Sequence, residues 1–197
     1  MEIKTPLNLT PEEVKCFNGI VKPQLEELYS YGYNSFEFEH VSIFISQKEF
    51  PGHTKRPDSE EVKNILKNIP PKDLSLVSEV YFVSYHCHDD NHQEFKGRTL
   101  PLVYKIIIYP KAFSRLKVIL THEIGHVIFE KRLSAASKKL FALVLLQTFP
   151  SVRFGSAEEY TFFIREQFAD SYELFLNNQG KLNEFSFIYN FFVEHVR

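Results

Sequence analysis

The sequence predicts an α+β fold, with a small N-terminal sheet and helices followed by a C-terminal helical half. Three observations carry this. Runs rich in Val, Ile, Phe and Tyr, the residues that favour a pleated surface, fall in the first 110 residues. Long helix-forming stretches, punctuated by Pro150 and Gly180, follow them. The chain has 197 residues and is 44% hydrophobic, with 20 Phe, 10 Tyr and no Trp, enough for an aromatic core rather than a disordered chain. That length suits one domain, read here as an N-terminal α/β lobe of about 1–110 and a C-terminal helical lobe of about 111–197.

Taken in order, Thr10-Pro11-Glu12-Glu13 opens a helix: Thr10 caps it, Pro11 takes the first position, and Glu13 completes a capping box. The helix is expected to reach about Tyr29, bent or split at Pro23. Residues 36–45 read as one strand, and Ser59 caps a helix through Ile69 that ends at Pro70-Pro71. Residues 80–86 and 103–109 read as further strands, separated by a polar loop over 87–99. Helices follow over 111–132, 133–149, 157–178, capped by Ser156 and stopped by Gly180, and 185–196. This order of strands before helices is what gives the α+β assignment.

Within the helix over 111–132 lies His122-Glu123-Ile124-Gly125-His126, an H-E-x-x-H motif. Residues four apart share a helix face, so the two imidazoles can bind one metal ion while Glu123 acts on a water that the metal activates. The pattern fixes only three positions and recurs by chance, so its meaning depends on a third ligand. A catalytic zinc takes three protein ligands and keeps one position open. Glu166 and Asp170, again four apart on a helix, supply a candidate third ligand and a candidate acceptor for the outer N–H of a ligand histidine. Both could instead be solvated charges on an amphipathic helix. Phe163, Phe168, Ala169 and Phe175 make that helix apolar on several sides, which predicts burial, and a buried carboxylate needs a partner or a metal.

The combination resembles the gluzincin metallopeptidases, most closely the anthrax lethal factor-like and Pro-Pro endopeptidase group. Those enzymes carry H-E-x-G-H on one helix and E-x-F-A-E-x-F on a later one, against Glu166-Gln167-Phe168-Ala169-Asp170-Ser171-Tyr172 here. The match covers 105–176; the N-terminal half matches no family in this way. The resemblance implies a single Zn2+ on His122, His126 and Glu166, with Asp170 supporting a ligand and Glu123 as general base and acid. It also implies a zinc-dependent endopeptidase that holds an extended peptide segment of a protein substrate as an added strand. Residues 103–109 directly precede the metal helix and are the candidate edge strand; their continuous apolar run fits a central strand equally well. The family places an oxyanion-stabilising tyrosine seven residues before the third ligand. Here that position is Glu159 and the tyrosine is Tyr160, six residues away, about 240° round a regular helix. Tyr160 reaches the metal only if the helix start is irregular; otherwise it packs on the preceding helix.

A second cluster, His86-Cys87-His88-Asp89-Asp90-Asn91-His92, offers either a second metal site or a solvated loop near the cleft; no matching Cys or His cluster stands elsewhere. His40, His53 and His195 are single histidines, and Lys111, Arg115, Lys117, Lys131 and Arg132 read as solvated surface. A net charge of −2 gives no basic excess for nucleic acid or an anionic membrane, and seven glycines form no phosphate-binding loop. Two cysteines, Cys16 and Cys87, are too few for a disulfide framework. No apolar leader or membrane-length run is visible, so a cytoplasmic protein, delivery without a cleavable signal, and a mature form are all open; the resemblance favours a secreted or injected bacterial protein. A monomer is expected. The competing function is a metallo-regulator or effector restricted to one protein partner; a binding module that keeps the motif without turnover is a further alternative.

Overall fold

A computed structural model of the chain describes residues 3–6, 8–52, 55–88 and 94–197. The fold is α+β and divides into two compact units, one formed by Met1–Lys63 and Val77–Arg115, the other by Asn64–Leu76 and Leu116–Arg197.

The first unit holds a five-stranded sheet: β1 (Tyr33–Phe38), β2 (Val41–Ser46), β3 (Glu79–Phe82), β4 (Gly97–Thr99) and β5 (Ile106–Ile108), in the order β1-β2-β3-β5-β4. The β2–β3 and β3–β5 pairs are parallel, and the outer pairs are antiparallel. The single strand expected over 36–45 is a hairpin. Its turn is the polar pair Glu39-His40, with Glu39 in the left-handed region at φ 54°, a signal that the apolar flanks obscured. Residues 103–109 do not form an edge: β5 is paired on both sides, by β3 and β4. Its three isoleucines are all buried, as a strand covered on both faces requires. The edge on that side is β4, inside the stretch expected to be loop.

Phe44, Tyr81 and Ile107 stand in register across β2, β3 and β5. They share a core with Phe17, Val21, Leu25 and Leu28 of the N-terminal helical arm, which explains the partly aromatic strands. That arm is α1 (Pro11–Cys16), a π-turn (Phe17–Val21) and α2 (Lys22–Tyr29). Thr10 and Glu13 cap it reciprocally, at 2.8 and 3.3 Å. The accommodation of Pro23 is the π-turn just before it. Lys22 N–H donates five residues back to Phe17 O, wide spacing that absorbs the donor a proline cannot supply.

The chain enters the second unit within α3 (Ser59–Leu66), whose start is capped by Asp58 accepting from Glu60 N at 3.0 Å rather than by Ser59. Pro70-Pro71 ends that segment and also starts a further turn, α4 (Pro71–Leu74), with Pro71 at a first position where its missing N–H costs nothing. After a 3-10 turn (Pro110–Arg115) come α5 (Leu116–Lys131), α6 (Ala135–Thr148), α7 (Ala157–Asn177), α8 (Gln179–Asn183) and α9 (Ser186–His195). Gly180 is not the stop for α7. The helix ends at Asn178, whose side chain accepts from Lys181 N at 3.2 Å and so starts α8 around the glycine. Phe129, Phe141, Phe168 and Phe192 build this unit's core, with ring centroids 5.0–6.1 Å apart along the chain of contacts. Each buried phenylalanine is worth about 1.5–3 kcal/mol in water-removed area. Among the described residues no helix is long and apolar enough to cross a membrane.

Candidate metal centre

The site lies within the second unit, where α5 and α7 touch at their backbones. A Cβ on Gly125 would stand 2.8 Å from Ala169 Cα and 3.2 Å from Ala169 O. Only a glycine between the two histidines permits this approach. Gly125→Ala therefore sets a helix-propensity gain of about 1 kcal/mol against an overpacking cost of about 1–3 kcal/mol. The obstructing atoms are backbone and cannot rotate away, so overpacking wins. The variant is expected to lose about 1 kcal/mol in chemical denaturation; equal or higher stability would mean that the helices do not meet this closely.

At this crossing His122 and His126 of α5 face Glu166 of α7. The Glu166 carboxylate spans both imidazoles, at 3.5 Å from His122 Nε2 and 3.3 Å from His126 Nε2. One ligand atom from each of the three lies within 4.8 Å of the other two, so the group could hold a metal ion. Two ligands about 2.1 Å from a tetrahedral centre stand about 3.4 Å apart, which both carboxylate–imidazole separations match. Two imidazoles and one carboxylate also form a donor set suited to a catalytic zinc with one position left over. Asp170 sits behind His122, its Oδ1 2.9 Å from Nδ1. That contact leaves Nε2 as the nitrogen turned to Glu166.

The imidazoles differ electrostatically. Burial works to lower the pKa of His122, but the carboxylates of Asp170 and Glu166 outweigh it and raise it to about 10. Burial, and then the charge of His122, lower that of His126 to about 4. Burial opposes ionisation of Glu166, yet the two histidines hold its pKa below the ordinary carboxylate value. Without a metal, the two carboxylates thus favour the protonated form of His122.

The expectation that burial would force both carboxylates into partnership is corrected for Asp170. Asp170 is 59% exposed and Glu166 35% exposed in their side chains. The helix buries Phe168, Ala169, Tyr172 and Phe175, while Glu166 stands half-buried against both histidines and Asp170 meets His122 from an exposed position. Glu123 is buried, one residue from His122, whose charge it supports. Tyr160 lies in regular helix from its first turn, with Ser156 accepting from Glu159 N at 3.1 Å as predicted. Its ring packs 5.1 Å from Phe154, and the six-residue spacing sets it about 240° round α7 from Glu166. The structure therefore does not bring Tyr160 to the face of α7 that carries Glu166.

Two basic residues expected in solvent are engaged. Arg132 pairs with Asp73 of α4, which is 1% exposed, and Lys131 Nζ donates to Leu76 O at 3.1 Å. Asp73 also accepts from Tyr172 Oη at 2.9 Å; burial and this carboxylate drive the tyrosine's pKa well above its ordinary value. Sequence reading missed Asp73. The available signal was Tyr172 itself, a hydroxyl where the resembling motif has phenylalanine, on a buried face that demands a partner.

His86, in the second cluster, pairs with Glu94, which Lys111 also meets at 3.4 Å. His86 and His88 are exposed, whereas Asp89–His92, like His53, lie outside the described residues. Among the described residues, His122, His126 and Glu166 form the only grouping of metal-binding side chains with suitable spacing. Comparison with protein-family models, curated proteins and solved structures returned no match.

Proposed function

We propose that this protein is a zinc-dependent endopeptidase that hydrolyses extended segments of a protein substrate. The observation that carries the reading is the convergence of His122, His126 and Glu166 from two helices, with Asp170 on the outer nitrogen of His122. A zinc ion held by those three residues would acidify a water toward neutrality and polarise the scissile carbonyl. The chain's own residues do the rest. Glu123 accepts the proton of the attacking water and returns it to the leaving amine, a role worth about 10²- to 10⁴-fold in rate. Asp170 accepts from Nδ1 of His122, fixing the tautomer and ring plane so that Nε2 is free to bind. Gly125 sets how near α7 approaches, and with it the reach of the Glu166 carboxylate. Tyr160 is left outside the reacting group because of its place on the helix.

The test is digestion of a diverse peptide library by zinc-loaded wild type and Glu123→Ala. Cleavage by the wild type alone, with equal zinc content in both, is expected. Equal cleavage by the variant would remove Glu123 from the chemistry. A zinc-loaded wild type that cuts no peptide would overturn general peptide hydrolysis in favour of an effector acting on one protein partner.

A further inference from the structure

We infer that Asp73 is a positioning residue for the metal centre: held between Arg132 and Tyr172, it fixes how α7 lies on α5 and hence where Glu166 meets His122 and His126. This rests on the reading of that centre as a metal site. The argument is geometric. The backbones of α5 and α7 approach closely at Gly125 and Ala169, and beyond that point the helices meet through apolar side chains such as Phe129 on Phe168, 5.2 Å apart, which still permit a small rotation about that pivot. His122 and Glu166 each lie three residues before it. Arg132 and Tyr172 lie beyond it, and one carboxylate holds both: Arg132 by an ion pair, Tyr172 by a hydrogen bond of 2.9 Å.

At 1.5 Å per residue, Glu166 is about 4.5 Å along the axis from the pivot, so a slip of about 10° moves it by roughly 0.8 Å. Metal ligation tolerates only about 0.2 Å. A second tie on the far side of the pivot suppresses that slip. Asp73 suits the task because it is 1% exposed and ionic: its two partners must reach it in one geometry, whereas an apolar contact tolerates sliding. The backbone that carries it is also fastened, with Lys131 Nζ donating to Leu76 O at 3.1 Å. A segment that stands between two strands in sequence thus belongs to the helical unit and spans both metal-bearing helices.

The experiment measures zinc affinity by chelator competition for wild type, Asp73→Asn and Tyr172→Phe, each first shown to be folded by circular dichroism. Ile188→Val, a buried change on α9, serves as a control that weakens the fold without touching the tie. Asp73→Asn is expected to weaken zinc binding about tenfold, in the range seen when an outer support of a ligand is lost, and Tyr172→Phe about threefold. Ile188→Val is expected to lower the melting temperature and leave affinity unchanged. In metal-free protein, the imidazole 15N resonances of His122 are expected to move in both tie variants and not in the control. Affinities within twofold of wild type, with unmoved His122 resonances, would overturn the proposal. Should the wild type itself bind no zinc, the metal reading falls by that result alone, and unmoved His122 resonances in both variants would then overturn the positioning role separately. Tyr172→Phe removes a single oxygen, so the test stands even if Asp73→Asn fails to fold.

Discussion

Glu166→Ala is expected to weaken zinc binding by well over a hundredfold while the protein stays folded. Loss of an outer partner of a ligand costs about 10- to 100-fold in metal affinity, and loss of a ligand must exceed that. Glu166 is the only acidic member of the triad and meets both imidazoles, so its removal leaves two histidines on a single helix face and a site open to solvent on the α7 side. The fold has little at stake in this carboxylate, which is 35% exposed. The neighbouring core residues Phe168 and Ala169 are untouched, and alanine is the better helix former. In the metal-free variant His122 keeps Asp170 but loses its second carboxylate, so its pKa falls from the raised value toward that of an ordinary imidazole. Chelator competition gives the affinity, and a titration of the His122 resonances gives the second readout. Unchanged affinity would remove Glu166 from the ligand set. An affinity loss no larger than that of Asp170→Ala would place both carboxylates in the same supporting role.

The features legible in the sequence are those whose cause lies within one helical turn. Thr10 and Glu13 announce a capping box because each partner is three residues from the other. Ser156 starts α7 for the same kind of reason. The spacing of four in His122/His126 and in Glu166/Asp170 put each pair on one face, and the structure brings the two faces together. What could not be read depends on partners far along the chain. Nothing in Ile106-Ile107-Ile108 says whether it pairs on one side or two, since its neighbours β3 and β4 are set by topology. Strand β4 is three residues long, and only its pairing with β5 makes it a strand at all. The hairpin at Glu39-His40 was hidden because β-formers flank a turn that lacks glycine. Asp73 is the extreme case: its partners are 59 and 99 residues away, and its own neighbours Lys72 and Leu74 suggest an ordinary surface turn.

Removal of that side chain is expected to cost a large share of the stability of the helical unit. Asp73→Ala leaves the Tyr172 hydroxyl, which is fully buried, with no acceptor, a defect of about 1–3 kcal/mol. It also strips Arg132 of its counter-charge, and breaking a buried pair from one side costs about 3–5 kcal/mol. Arg132 retains 21% side-chain exposure and reaches the main-chain oxygen of Arg197 at 3.5 Å, so water and that carbonyl recover part of the loss. The sum is expected near 3 kcal/mol, a large share of the roughly 5–15 kcal/mol that holds a typical domain together. Urea denaturation should show it as a lower midpoint with an unchanged slope. Adding Tyr172→Phe to Asp73→Ala supplies the decisive sign. If the hydroxyl is stranded by the first change, deleting it must restore about 1–2 kcal/mol, so the double variant is more stable than the single one. A double variant less stable than Asp73→Ala would mean that the hydroxyl finds another partner once Asp73 is removed, so that a stranded hydroxyl is not what destabilises the single variant. The recovery should not extend to zinc affinity, because neither change restores a tie between α5 and α7; stability and metal binding then separate in one pair of proteins.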